Sequence, residues 1–341
     1  MTNPEVTITV KELQILFNQF QVFSDALHVS YPVIDDFDLL DAQADEDGYR
    51  IDVKTPNFSM FQQESIEIAN ELPAFSDFKE AFLASGCINY ENAGTFESMY
   101  KKYKERNKKI FFSPDTNILY HEFLSRSFLK EERIPIAPTV LNEVIGAMNY
   151  KYNNDLLDGL EAATKSELIR ALYNRRRKKS RRAAYFAKRE KTRLVTIDID
   201  PVDETPADAS QNDLFIIKEV QQFVANSGSD VVILTADRPA ADLCEINNME
   251  FFMFDMPARI ETQHCTARSF QELVFDLAAI FGVIKLNNTI IFGEFSNKND
   301  LDELKVRFLS TPTHDAFMKD LRLCRRLMKL KKDLIARNMD F

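Results

Sequence analysis

The chain has 341 residues, 45% hydrophobic and 28% charged, with only 8 glycines, 12 prolines and a formal net charge of −10. These values exclude collagen-like and disordered classes and leave room for one large or two ordinary domains. Taken as a total, the negative charge also argues against a nucleic-acid partner.

The first hundred residues mix helices with polar loops. Leu13, Leu16, Phe17 and Phe20 recur at spacings of three and four, which predicts a helix over 10–23. Residues 35–48 read as an acidic loop, 49–53 as a short strand, and 61–72 and 75–84 as two further helices. From about residue 109 the pattern becomes alternating strand and helix. Short apolar runs at 110–112, 134–137, 194–199, 231–235 and 250–254 read as strands. Helices are predicted at 117–128, at 140–150 with Thr139 as N-cap, at 210–224 and at 239–247. Such alternation predicts a parallel sheet covered on both faces. A helix at 270–281, a hairpin of 283–286 and 289–294 turning at Asn287-Asn288, and a helix with a stripe of Leu323, Leu327, Leu330 and Leu334 follow. The strands at 49–53 and 289–294 are expected to pair, bringing the two ends of the chain together.

The longest apolar stretch is the eight residues 277–284, far below the ~18 needed to span a bilayer. No basic, then apolar leader opens the chain, so no membrane association is expected. The four cysteines, Cys87, Cys244, Cys265 and Cys324, are scattered without a C-x-x-C pair. That argues against zinc or a disulfide framework and for a cytoplasmic protein with reduced thiols.

Several familiar sites are absent. Neither glycine-rich phosphate loops nor a G-x-S-x-G elbow occurs, and His121-Glu122 lacks the second histidine of H-E-x-x-H, because Ser125 stands there. What remains is a set of carboxylates. Asp115 follows the strand in FFSPDTNILY, and Glu143 lies in the helix of PTVLNEVIGAMN. Asp213 opens the helix of SQNDLFIIKEV, and Asp237 follows the strand in ILTADRPAADLCE. In an open parallel sheet ligands bind beyond the carboxyl ends of the strands. Acids converging there repel one another, a divalent cation removes the repulsion, and an all-oxygen donor set selects Mg²⁺ or Mn²⁺.

The order of these acids resembles that of a PIN domain. Asp115-Thr116-Asn117 after the first strand, Glu143 in V-L-N-E-V, Asp213 opening an apolar helix and Thr235-Ala236-Asp237 ending an apolar strand carry the resemblance. It spans roughly residues 109–257 and implies a PIN-like parallel sheet flanked by helices, with mixed α/β extensions over 1–108 and 258–341. It further implies a Mg²⁺- or Mn²⁺-dependent endoribonuclease. In that reading Asp115, Glu143, Asp213 and Asp237 ligate metal and catalyse, Asp242 is a fifth metal ligand, and Asn117 and Thr235 orient substrate.

The 69 residues between Glu143 and Asp213 are longer than a compact PIN-like core needs. They hold a basic insertion near 165–193, whose residues 170–193 carry twelve Lys/Arg against the single acid Glu190, a net of +11. Its cations, Arg175, Arg176, Arg177, Lys178, Lys179, Arg181, Arg182, Lys188 and Arg189, are the candidate RNA-binding side chains, with Tyr173 and Tyr185 placed to stack on bases. One competing use is internal, because the first hundred residues carry a net of −14 and could cover the run. The alternative function is a non-catalytic RNA-binding or scaffold protein with the same fold. Homo-oligomerisation is compatible with either.

Overall fold

A computed structural model describes residues 3–336 apart from 36, 62–63, 173–175, 205 and 207. The strands begin with β1 (Glu5–Thr9), β2 (Leu27–Ser30), β3 (Asp38–Asp45) and β4 (Gly48–Val53). The middle of the chain adds β5 (Ile110–Pro114), β6 (Arg133–Ile136), β7 (Val195–Asp198), β8 (Asp230–Thr235) and β9 (Phe251–Met253). β10 (His264–Thr266), β11 (Val283–Leu286), β12 (Thr289–Phe292) and β13 (Glu303–Phe308) complete the set. Two units share them. A terminal unit comprises Met1–Asn57, Leu160–Tyr173 and Gln263–Phe341, and a central unit comprises Phe58–Gly159 and Asn174–Thr262.

The terminal unit is built on an eight-stranded, wholly antiparallel sheet in the order β1-β13-β12-β11-β2-β3-β4-β10. β13 has a clear period of two, with Leu304, Val306 and Phe308 buried between half-exposed Glu303, Lys305 and Arg307. β11 and β12 form the expected hairpin, and Asn287 takes the left-handed conformation at φ 49° that its short amide tolerates. The helix Ala267–Phe281 is buried along nearly its whole length. It packs so tightly that a Cβ on Gly293 would fall 2.2 Å from the Ala278 carbonyl oxygen, so only glycine fits there.

Two expectations need correction here. Residues 38–45 are a strand, not a loop, because Leu39, Leu40 and Ala42 are fully buried and the acids find cross-strand partners. The Asp41 carboxylate accepts from His28 Nδ1 at 2.7 Å and meets Lys54 Nζ at 3.0 Å. The chain ends do share one sheet, but β4 and β12 are not neighbours. β1 with β13, β2 with β11 and β4 with β10 make the joins.

In the central unit every strand pairing is parallel: β5-β8-β9 in one ladder and β6-β7 in another, with β6 beside β5. The molecule is therefore mixed α/β as expected, but its largest sheet is antiparallel, which corrects the picture of a parallel core with minor extensions. The domain limits also shift, because 58–108 and 258–262 belong with the central unit and 160–173 with the terminal one. Phe111, Ile199, Ile217, Val220, Val231, Ile233 and Cys244 form an apolar core around β5 and β8. The segment gained from the N-terminal block contributes Phe96, whose ring lies 5–6 Å from those of Phe112, Phe252 and Phe254. Thr139 is not a cap. Pro138 takes the first helical position, as its fixed φ favours, and the Thr139 N–H and hydroxyl both donate to buried Glu219 at 3.0 Å.

Candidate metal centre

Parallel pairing sets Pro114 of β5 opposite Leu234 of β8, so Asp115 and Thr235 leave the sheet side by side. The Asp115 N–H donates to the Leu234 carbonyl at 2.9 Å. Its carboxylate, 5% exposed, caps the helix Thr116–Tyr120 by accepting from Ile118 N–H at 2.8 Å. The other oxygen accepts from the Thr235 hydroxyl at 2.5 Å, and that same hydroxyl accepts from Asp237 N–H at 2.9 Å. Thr235 therefore couples two of the expected acids.

Glu143 reaches the group from the helix Pro138–Met148. It accepts from the Thr116 hydroxyl and, at 2.5 Å, from the Asn212 amide. Asn212 and Asp213 open the helix Asn212–Ser227, so this bond fixes the element carrying the third acid. Thr116 stands in the Asp115-Thr116-Asn117 motif without an expected role of its own, and the one signal for Asn212 in the sequence is its adjacency to Asp213.

The four carboxylates feel one another. Burial pushes the Asp115 carboxyl up to about 7, and the charges of Asp213 and Asp237 add to it against the hydrogen bonds from Thr235 and Ile118. Asp213 is raised by burial, then by Asp237 and Glu143. The Cys244 thiol, next to the same acids, is pushed up to about 12 by burial, Asp115 and Asp213. The half-buried carboxylates of Asp213 and Asp237 make no hydrogen bond or ion pair among the described residues. No three of the predicted acids bring carboxylate oxygens within 4.8 Å of one another. They are grouped but not closed to coordination distance.

Asp242 is exposed and paired with Arg238 at 2.8 Å, one turn earlier on the same helix. Asn117 is half-buried beside Asp115, and its side chain makes no hydrogen bond among the described residues.

The basic insertion departs furthest from expectation. Residues 178–193 form a continuous helix with a π-helical turn at Ala183–Ala187, and this helix is packed into the central unit. Arg181 is 0% exposed and donates to the Tyr152 hydroxyl and the Arg176 carbonyl. Arg189, 2% exposed, grips buried Glu122 with two bonds of 2.6 and 2.8 Å. Arg177 pairs with Glu71 at 2.7 Å and Glu67 at 3.1 Å, Lys178 with Asp77 at 2.7 Å, and Arg182 with Glu80 at 2.8 Å. Arg176 is bonded to the Tyr185 hydroxyl, and the Tyr185 ring is buried and closed to bases. Only Lys179 and Lys188 of the predicted RNA-binding cations are exposed, while Arg175 and Tyr173 lie outside the described residues. The run is thus the inner partner of acids from residues 67–122. The internal use of the charge is the one observed.

No protein-family model matches the chain, and no curated protein matches it either. Any functional reading rests on the chain's own chemistry.

Proposed function

We propose that the central unit is a Mg²⁺- or Mn²⁺-dependent phosphodiesterase acting on RNA, with a PIN-like arrangement of Asp115, Glu143, Asp213 and Asp237. The observation that carries this reading is the pair of unpartnered carboxylates, Asp213 and Asp237, beside buried Asp115 at the carboxyl ends of parallel strands. The donor set is all oxygen and carries mutual repulsion that a hard cation would relieve. When bound, such an ion would neutralise phosphoryl oxygens and activate water for in-line attack. Asp115 is held rigidly by Ile118 and Thr235, so it is the fixed ligand. Among the described residues, Asp213 and Asp237 make no side-chain bond that must break before they turn inward. Thr116 and Asn212 aim Glu143 at the same space. RNA as substrate rests on the resemblance in acid order; the exposed cations nearest in sequence are Lys179 and Lys188.

Incubation of single-stranded and structured RNA with Mn²⁺ tests the proposal. Cleavage is expected that chelation stops and that Asp115→Asn or Asp237→Asn lowers at least ~100-fold, the scale of losing a major transition-state contact. Cleavage surviving unchanged in both variants would remove the site assignment. A non-catalytic scaffold is the second reading, favoured by the absence of closure to coordination distance. It predicts no cleavage with any divalent ion and no Mn²⁺-dependent rise in melting temperature.

A further inference from the structure

One corner of the central unit carries an exposed aromatic ring that the fold itself does not use. The helix Pro138–Met148 brings Glu143 to the metal centre, and its last turn continues through Asn149 to Tyr150, whose N–H donates to the Ala147 carbonyl at 3.3 Å. Glu143, Gly146 and Tyr150 follow one another at spacings of three and four, so they share a face. Seven residues at 1.5 Å each put Tyr150 about 10 Å along the axis from Glu143. Between the two, a Cβ on Gly146 would meet nothing within 4 Å, so the track at that point is open.

Tyr150 is 50% exposed, and its hydroxyl makes no hydrogen bond among the described residues. The hydroxyls of Tyr90, Tyr100, Tyr103, Tyr152 and Tyr185, in the same unit, are all bonded. The backbone around Tyr150 is nonetheless fixed. Its carbonyl accepts from Arg177 N–H at 3.1 Å, and the Ser180 hydroxyl donates to the Met148 carbonyl at 2.7 Å. These bonds seat the start of the 178–193 helix here and place Lys179 Nζ 5.1 Å from the Tyr150 ring centroid. Exposed Lys151 and Lys179 make no ion pair among the described residues, and the Lys151 backbone bridges to that of half-buried Arg176. Of the acids, Glu67 and Glu71 are engaged by Arg177. Exposed Asp155 and Asp158, next along the chain, offset part of the positive charge, so the ring and not the net charge distinguishes this corner.

We propose that Tyr150 and Lys179 hold one nucleotide of a single-stranded RNA whose scissile phosphate lies at the carboxylate group, with the Tyr150 ring stacking on the base and the Lys179 ammonium meeting the phosphate. The proposal rests on the phosphodiesterase reading of the metal centre and adds the residues that position its substrate. Lys179 reaches the ring on a flexible four-carbon stem, so it can yield the face to a base while keeping the phosphate. Stacking on tyrosine accepts any base, which gives affinity and placement without sequence readout. A duplex, whose bases already stack on one another, gains nothing from the ring. An acidic protein segment would use the lysines and not the tyrosine.

The probe is a fluorescein-labelled oligoadenylate of about eight nucleotides, titrated with the full chain in EDTA and followed by anisotropy. Cleavage of the same oligomer is then timed with Mn²⁺. Tyr150→Ala should weaken binding about 10-fold, and Tyr150→Phe, which keeps the ring, should stay within about twofold of the unsubstituted chain. Lys179→Gln should lower the slope of log affinity against log salt by about one. With Mn²⁺, Tyr150→Ala should raise KM about 10-fold while kcat holds within about twofold. No binding by the unsubstituted chain, unchanged binding in Tyr150→Ala, or equal losses in the Phe and Ala variants overturns the proposal. So does a melting temperature that falls along with the binding, or polyglutamate that competes as well as RNA. Tyr150-dependent binding without any cleavage would remove the phosphodiesterase reading and leave the RNA site. Cleavage at unchanged KM in Tyr150→Ala would remove the RNA site and leave the phosphodiesterase.

Discussion

Two buried titratable groups of the central unit push stability in opposite directions with pH. His121 accepts or donates at 2.6 Å with the Tyr90 hydroxyl, and burial, followed by the charges of Arg182, Arg126 and Lys79, pushes its pKa down to about 3. The fold therefore needs it neutral, and its contribution is present above pH ~6.5 and is lost as pH falls toward 3. Glu190 is the reverse case. Burial and the neighbouring Glu122 push it up to about 7, and its Oε2 has no hydrogen-bond partner among the described residues. The native state holds that proton more tightly than the unfolded chain, so stability falls as pH rises from about 4.5 to 7. Glu190→Gln keeps an oxygen for the Ser125 N–H, bonded at 2.9 Å, and removes the ionisation. It should raise stability at pH 8 by on the order of 2 kcal/mol and leave it nearly unchanged at about pH 4, below the unfolded pKa. Calorimetric melting at both pH values decides; an equal shift at the two would show that charge is not the cause.

At the scale of elements, the 178–193 helix shows what a charge pattern does and does not disclose. Its cations were legible, and so was a balancing excess of acids earlier in the chain. Which of the two a cation would face is a long-range fact, set where Glu71, Asp77 and Glu80 meet Arg177, Lys178 and Arg182. Buried pairs of this kind do not add stability simply by existing, but removing one partner strands the other in a poorly solvated place. Arg189→Met should thus cost about 3–5 kcal/mol, since among the described residues Glu122 would keep Arg193, at 2.9 Å, as its one ion-pair partner. Lys188→Ala, at an exposed neighbour, should stay within ~0.5 kcal/mol. Urea midpoints would separate the two, and similar small losses would show the helix to be a solvated arm. β5 and β8 were readable because strands covered on both faces are continuous apolar runs. The acids following them were singled out by the same logic. β3 was missed because Asp38, Asp41 and Asp45 mimic a loop until β2 and β4 supply their partners.

For the whole molecule, the decisive feature is that the central unit interrupts the terminal one. Local periodicity could not reveal it, because the ladder of β1 joins Glu5 to Arg307 and that of β4 joins Gly48 to Thr266. Pairings so distant in sequence are slow to form, whereas β5, β8 and β9 draw on a shorter stretch of chain. In refolding from denaturant with pulsed hydrogen exchange, amides of β8 should gain protection before those of β1 and β13. Simultaneous protection of all three would contradict this order.

The same interruption governs synthesis. β1 pairs with β13 alone, and β2 needs β11 on one side, so the N-terminal strands leave the ribosome long before their partners exist. At translation speeds of 5–20 residues per second, the wait between β4 and β10 is on the order of 10–40 s. During that interval β1, β2 and β4 each lack a neighbour and present open edges, the condition under which nascent chains aggregate or recruit chaperones. A message truncated anywhere before β11 would yield a remnant permanently in that state, which makes the last eighty residues the guardians of the first fifty.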